Sequence, residues 1–495
     1  MDKRKPPHLL IFNPDQFRAD ALGHLGNPAA ITPNLDRLAQ TEGVSFRNAF
    51  CQNPVCTPSR CSFMTGWYPH VHGHRTMFHM LHAHEPVLLK TLKDGGYTVW
   101  WGGKNDLVPG KDGYEDFCDV KHPEEAVAPN LHVSQDWRGD REGDNWFSFH
   151  AGKLTDVVAG SGDGRIPPHR PDSDWAHVLG AIDFIRNAPD DKPVCLYLPL
   201  GYPHPPYGVE DPWYSAINRE KVPLPLPEPE GWVGKPSLLK GIRERQRLRD
   251  WTPERFRELR ATYYGMCSRL DTQFGLLMDA LREKGLYDDT AVFVFSDHGD
   301  FTGDYGLVEK TQNTFEDCLT RVPFLFKPPA DVSCVPGIRD ALVELVDFPA
   351  TVEALCGITP AHTHFGKSLL PLAAGDTQTH RDAVFCEGGR IHGETHCMEH
   401  GIENPDNLYF PRVGLQQSEG PEHTKAVMVR THTHKYVRRL YESDELYDLT
   451  ADPGERHNRI DDPALAGVLG ELKERMLTFF LETGDVVPHE PDLRG

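Results

Sequence analysis

The chain of 495 residues is 39% hydrophobic and 25% charged, an ordinary globular composition with ample apolar material for a core. Its formal net charge of −21 excludes nucleic acid and anionic membrane surfaces as partners but not a small anion, because cations in one pocket outweigh acidic surface lying beyond a Debye length of about 8–10 Å. The eleven cysteines lack the spacing of a small disulfide domain, Leu9-Leu10-Ile11-Phe12 is too short for a signal-peptide core, and no apolar run approaches the ~20 residues that span a bilayer, so the sequence reads as a soluble cytoplasmic protein.

Residues 8–12 form an apolar run that predicts a buried parallel strand. It ends at Asn13-Pro14-Asp15-Gln16. Ligands of open α/β sheets gather at the carboxyl ends of strands, which places Asp15 where a metal or ligand could sit; a helix N-cap is the plainer use of such an Asp. Thr32-Pro33 begins a helix with Pro at N1, closed by Gly43 and given a packing role. Residues 51–66 contain Cys56-Thr57-Pro58-Ser59-Arg60 and Thr65-Gly66. Pro58 fixes φ and Ser59 can cap a helix start. The expectation is a loop that delivers Cys56 to a helix N-terminus, where free N–H groups and the dipole favour an anion. Arg60, one turn in, adds a permanent cation. On these residues alone a buried structural cysteine is an equal alternative. His70, His72, His74, His79, His82 and His84 follow on a loop, and their mixed spacing reads as a pocket wall rather than a second metal centre.

Residues 97–101 are β-branched and aromatic and predict a strand; it ends at Gly102-Gly103-Lys104-Asn105-Asp106, with Lys104 placed to reach a pocket. Residues 107–172 are rich in Gly, Pro, Asp and His and read as a long loop region, a substrate-facing insertion. Trp175, Val178, Leu179, Ile182 and Ile185 make a helical stripe. Residues 193–198 predict another buried strand, ending near His204, whose flanking prolines hold it on a rigid loop suited to a general acid. Residues 219–251 read as loop. Thr252-Pro253 opens a long amphipathic helix that Gly285 ends. Residues 290–295 are the clearest buried strand, followed by Ser296-Asp297-His298-Gly299-Asp300, where adjacent Asp and His can be two metal ligands from one turn. A strand over 322–326 and a helix from 346 to Gly357 follow. Beyond a boundary near Gly375, strands are expected near 383–387, 426–430 and 435–439, with a last helix over about 463–481. No internal repeat is evident.

Cys56-x-Pro58-Ser59-Arg60 with Thr65-Gly66 resembles the signature of the type I sulfatases of the alkaline phosphatase superfamily. Residues 32–39 (TPNLDRLA), Gly103-Lys104, Pro203-His204-Pro205-Pro206, Ser296 to Asp300, Gly303 to Leu307 with Lys310, Gly366 to Leu369, and Glu445 to Leu449 with Asp452 to Glu455 and Asn458 resemble further family segments. The resemblance runs from about residue 8 to about residue 460, and covers 107–172 and 390–425 least. It implies an α/β fold with an alkaline-phosphatase-like mixed, mostly parallel sheet flanked by helices, and a smaller C-terminal antiparallel sheet with a helix. The catalytic domain would be 1–375 and the small C-terminal subdomain 376–495.

The implied activity is hydrolysis of sulfate esters of a small sugar, aryl or alkyl alcohol, with Cys56 converted to formylglycine as nucleophile. One divalent ion, Ca²⁺ first, with Mn²⁺ and Mg²⁺ as alternatives, would be held by Asp15, Gln16, Asp297, His298 and the modified residue 56. Arg60, Lys104 and Lys310 would spread charge over the sulfate. His204, or Lys310 beside it, would protonate the leaving alcohol, and His79 would contact the ester oxygens. Asp106 stands where the family has a histidine, and takes the role of base for regenerating the aldehyde. Asp15-Gln16 resembles instead the phosphonate monoester hydrolase branch, so a phosphonate monoesterase or phosphodiesterase is the alternative reading. The implied partners are the anionic ester and a formylglycine-generating maturation enzyme, with no nucleic acid and no membrane; homo-oligomerisation is left open.

Overall fold

The computed structural model describes residues 5–123, 150–246, 248, 250–402, 407, 409–489, 491 and 494. Its strands in chain order are β1 (His8–Pro14), β2 (Val44–Phe50), β3 (Thr98–Trp101), β4 (Val120–Lys121), β5 (His150–Leu154), β6 (Val194–Leu200), β7 (Tyr207–Glu210), β8 (Thr290–Phe295), β9 (Arg321–Val322), β10 (Phe324–Lys327), β11 (Gly337–Glu344), β12 (Val384–Gly388), β13 (Ala426–Arg430), β14 (His434–Arg439) and β15 (Glu445–Asp448). The large sheet runs β11-β2-β10-β8-β1-β6-β3-β4, with β9 beside β2. β8, β1, β6, β3 and β4 are mutually parallel, and β10 is the antiparallel intruder between β8 and β2.

The central strands are apolar at nearly every position because both faces of the sheet are covered. Along β1, Leu9 and Ile11 join one core and Leu10 and Phe12 the other; along β8, Ala291, Phe293 and Phe295 alternate in the same way with Val292 and Val294. Successive Cβ atoms point to opposite faces, so one uninterrupted run feeds two cores. On the first face lie Phe63 and Met64 of the helix Cys56–Thr65 and Phe348, Val352 and Leu355 of the helix Asp347–Cys356. On the second lie the helices Ser173–Arg186 and Pro253–Lys284, through residues such as Trp175, Ile182, Leu270 and Phe274.

The small sheet is the antiparallel β12-β13-β14-β15. The helix Ala466–Thr483 covers it with Leu472, Met476 and Phe479, the last stacked on Phe385 at 3.9 Å. Among the described residues no helix is long and apolar enough to cross a membrane.

Several sequence expectations are corrected. The single strand expected over 322–326 is two, because Pro323 has no N–H to give to a ladder: β9 pairs with β2, and β10 with β8 and β2. β2, β11 and β15 and the helix Ser237–Arg245, within a stretch read as loop, were not expected. In the region 107–172 the described part contributes β4 and β5, the latter paired with β7; residues 124–149 of that expected loop lie outside the described residues. Thr32 donates its hydroxyl to Asp36 at 3.0 Å rather than capping a backbone N–H.

Candidate active site

Four parallel strands, β8, β1, β6 and β3, end at one edge of the sheet, and the chain leaving each carries a polar group into the same place. Asp15 follows β1. The next residue, Gln16, takes a left-handed backbone with φ of 69°, a conformation uncommon for a residue with a Cβ. It is held there by its own N–H, which donates to Asp297 Oδ1 at 3.1 Å, and by its carbonyl, which accepts from Tyr263 Oη at 2.7 Å. After β8, Asp297 and His298 turn inward. The Nδ1 of His298 lies 3.0 Å from the Gly299 carbonyl. A carbonyl only accepts, so Nδ1 carries the proton and Nε2 presents a lone pair to the site. Burial holds this imidazole below its ordinary range and hence neutral.

Cys56 is the first residue of the helix Cys56–Thr65, whose N-cap is Val55. Ser59 is therefore not the cap. It sits inside the first turn, and its hydroxyl donates to the Asp297 carbonyl at 2.6 Å, tying the helix to the loop after β8. The Cys56 Sγ lies 3.5 Å from Asp15 Oδ2 and 3.3 Å from His298 Nε2. Asp15, Cys56, Asp297 and His298 each offer one ligand atom, all within 4.8 Å of one another and all buried. Two carboxylates, a sulfur position and an unprotonated imidazole nitrogen converging at one buried point form a donor set that fits a divalent cation. Burial pushes the Cys56 thiol up, and the Asp15 carboxylate adds to that.

Arg60 is fully enclosed. Its guanidinium reaches Asp297 Oδ2 at 2.7 Å, Asp15 Oδ2 at 3.2 Å and Asn13 Oδ1 at 2.8 Å. It thus lies against the two acids, where its charge neutralises part of theirs. Lys104, 29% exposed at its side chain, bonds Asp15 and sits 2.8 Å from Asp106. Burial opposes ionisation of Asp15, but Lys104 first, with Lys310 and Arg60, holds its carboxyl well below the usual range.

Lys310 is buried. It donates to Gln16 Oε1 at 2.7 Å and lies 3.1 Å from Glu309 Oε1. Gln16 thus turns its side-chain amide toward Lys310, which itself lies beside Asp15 and Cys56. Its side-chain amide spans from Lys310 to Asp300, which accepts from Nε2. Asp300 is itself pushed up to about 7 by burial, against the hydrogen bonds from Tyr207 and Gln16.

His204 is partly buried at the mouth. Its Nδ1 lies 2.6 Å from the Pro205 carbonyl and its Nε2 3.0 Å from Tyr409 Oη. Burial and then Lys310 keep it well below the ordinary imidazole range. His79 is not brought to the cluster: its Nδ1 bonds the Thr76 hydroxyl at 2.6 Å and its ring faces His396. Of the other loop histidines, His70 pairs with Glu387 and His74 with Glu85, while His82 and His84 stack on each other.

Sequence reasoning missed Tyr409, Asn13, Tyr197 and Tyr207. Asn13 donates to the Phe295 carbonyl at 2.8 Å while accepting from Arg60, so it pins β1 to β8 under the site. Its place at the end of a buried strand was a usable signal. Tyr409 comes from a segment with no local pattern, and only the folded chain brings it to His204.

A family model described as Sulfatase matches residues 7–358. Among curated proteins, the chain is 27% identical to the multifunctional alkaline phosphatase superfamily protein PehA of Trinickia caryophylli, over 97% of this chain and 96% of that one. It is 27% identical to an arylsulfatase of Clostridium perfringens, over 83% of this chain and 87% of the relative. Among solved structures, the phosphonate monoester hydrolase of Agrobacterium radiobacter superposes with a TM-score of 0.73 at 22% identity, covering 98% of this chain and 100% of the other; at that identity the likeness is one of fold.

Proposed function

Because the chain belongs to the sulfatase family, we propose that it hydrolyses the sulfate ester of a small molecule, with a formylglycine made from Cys56 as nucleophile. The observation that supports this most is the meeting of Asp15, Cys56, Asp297 and His298 at one buried point, with Lys104 and Lys310 beside it. These four positions would hold one divalent cation, which supplies Lewis-acid charge when bound. Two carboxylates and an oxygen at position 56 favour Ca²⁺, with Mg²⁺ and Mn²⁺ as substitutes.

The protein's own groups have separable tasks. Conversion of Cys56 by a maturation enzyme yields an aldehyde that takes up water as a geminal diol. One diol hydroxyl attacks sulfur, the S–O bond to the alcohol breaks, and the alcohol leaves with a proton. The second hydroxyl loses its proton and collapses to the aldehyde, expelling sulfate. Lys104 and Lys310 stabilise charge on the sulfate oxygens, the kind of preorganised contact worth about 2.7–4 kcal/mol each. Arg60 holds the two ligand carboxylates in register. Asp106, kept ionised against burial chiefly by Lys104, is the base for the collapse. His204 supplies the alcohol's proton: an anionic ester lying by Lys104 and Lys310 cancels the positive charge that otherwise disfavours the imidazolium.

One observation favours a second reading. Gln16 engages Lys310 and Asp300 through its amide instead of adding a third carboxylate near the cation. A less negative centre suits phosphonate monoesters or phosphodiesters as well as sulfates. The deciding experiment is a rate panel of an aryl sulfate, an aryl phosphonate monoester and an aryl phosphodiester on enzyme co-expressed with a formylglycine-generating enzyme. A kcat/KM for the sulfate below that for the phosphonate would displace the sulfatase reading in favour of the second.

A further inference from the structure

A separate group of metal-type donors lies in the C-terminal part of the chain, within the stretch that the motif resemblance covers least. His392, Glu419 and His423 each bring one ligand atom to within 4.8 Å of the others. His423 is the buried member, 1% exposed. Its Nδ1 lies 3.3 Å from the Arg390 carbonyl. That carbonyl can only accept, so Nδ1 carries the proton and Nε2 is left as an acceptor. Among the described residues this buried Nε2 has no hydrogen-bond partner, and 3.4 Å away stands a second acceptor, Glu419 Oε2. A buried acceptor nitrogen facing a carboxylate oxygen is costly unless something positive serves both.

The flanking groups are already positioned as a metal's outer shell would be. Glu419 Oε1 accepts from Arg390 Nη1 at 3.0 Å, and Oε2 accepts from the Gly393 N–H at 3.2 Å. His392 closes the third side, its ring stacked on Tyr441 at 3.7 Å and 5.1 Å from the ring of His423. The 3.4 Å from His423 Nε2 to Glu419 Oε2 also fits. Metal–ligand bonds of about 2.0–2.1 Å in a tetrahedron put neighbouring ligand atoms about 3.3–3.4 Å apart.

We propose that His392, Glu419 and His423 form a second metal site that takes Zn²⁺. Two imidazole nitrogens and one carboxylate oxygen select a borderline transition ion over the hard, oxygen-seeking Ca²⁺. His392 and Glu419 are solvent-exposed, so the fourth position faces solvent and is open to water. The ion links three points of the 389–424 stretch that Arg390 already gathers through Glu419 and the Gln416 and Ser418 carbonyls. Its effect is therefore to brace the segment that follows Tyr409. The inference does not depend on the sulfatase reading.

The test uses the full-length protein, dialysed against micromolar Zn²⁺ with Ca²⁺ in excess and analysed for bound zinc by mass spectrometry of the metal. Co²⁺ serves as a spectroscopic probe for a tetrahedral nitrogen–oxygen site. The expected result is one zinc equivalent that survives Asp297→Asn, which disables the first site, and that is bound more than about tenfold more weakly in His392→Ala and in Glu419→Gln. Both substituted side chains are exposed, so these variants keep the fold where His423→Ala risks losing it. Zinc that leaves with Asp297→Asn, or a wild type that holds no zinc beyond what His392→Ala holds, overturns the proposal. So does zinc retained in His392→Ala and Glu419→Gln but lost in His396→Ala, which would move the ion to Glu394, His396 and Cys397.

Discussion

The hydroxyl of Tyr409 donates to Nε2 of His204 at 3.0 Å, across 205 residues of chain. The Pro205 carbonyl holds the opposite nitrogen, so the ring is fixed in one tautomer from both sides. Before substrate arrives His204 is neutral, and its reactive nitrogen is occupied by a phenol rather than by water. The partnership positions the imidazole and prepares it to take a proton when the charge around it changes.

His204→Ala should lower kcat/KM by about 10²–10⁴ on an alkyl or sugar sulfate and far less on a nitrophenyl sulfate, because only a poor leaving alcohol needs the proton. Tyr409→Phe, which removes one hydrogen bond and leaves the ring, should show the same substrate dependence at roughly fivefold, about 1 kcal/mol. Equal losses on both substrates for His204→Ala would reject it as the acid and pass that role to Lys310.

Peptide mass spectrometry of protein co-expressed with a maturation enzyme should find residue 56 as the aldehyde or its hydrate, and Cys56→Ala should abolish turnover. Fully active enzyme carrying only the unmodified thiol would sink the formylglycine mechanism.

Chelation should remove activity, and Ca²⁺ or another divalent ion should restore it. Asp297→Ala should lose both the activity and the ion that restores it, because Asp297 also accepts the Gln16 N–H that orients Asp15. Retention of normal activity by Asp297→Ala would remove this point as the metal centre.

Arg60 lies between two buried carboxylates, so Arg60→Leu leaves Asp297 without its guanidinium partner and Asp15 with Lys104 as its ion-pair partner. The metal-stripped variant should be less stable than the metal-stripped wild type by about 3–5 kcal/mol in urea. Saturating metal should recover part of that difference. A variant equally stable with and without metal would mean that the guanidinium is not what holds the acids together.

The pH dependence of stability has a clear contributor away from the site. His177 is held down to about 3 by burial, with the neighbouring His122 adding to it. Its folded pKa is below the unfolded value, so from pH 6.5 downward the unfolded chain takes up a proton that the folded chain refuses. Stability therefore falls with falling pH in that window, by up to roughly 1.4 kcal/mol per pH unit from this group. His177→Leu should flatten the decline of the urea midpoint between pH 7 and pH 5, and an unchanged slope would show that other groups set it.

The strands that bear the site were legible because burial on both faces requires apolar residues at consecutive positions, and the ends of those runs mark the edge where ligands gather. The pair Asp297-His298 could be named for the same reason, since it stands directly at the end of β8; Cys56 could not, because on local chemistry alone a buried structural cysteine was an equal reading and only the longer motif singled it out. The edge strand β11 and its neighbour β2 escaped notice because their partly exposed positions hold residues such as Arg47, Asn48 and Asp340, which read as loop. Gln16 shows the deeper limit. Its residue type gave no sign of its left-handed backbone, which is held by Asp297 and Tyr263, far along the chain, or of its side-chain partners Lys310 and Asp300. Arg60 likewise turned to the two carboxylates, and His204 acquired Tyr409. The sequence by itself determined which strands form the core and which motif residues stand at their ends, since those follow from short-range periodicity. The direction each side chain takes was decided by the tertiary structure, because it depends on charges and hydrogen-bond partners that meet only when the sheet closes.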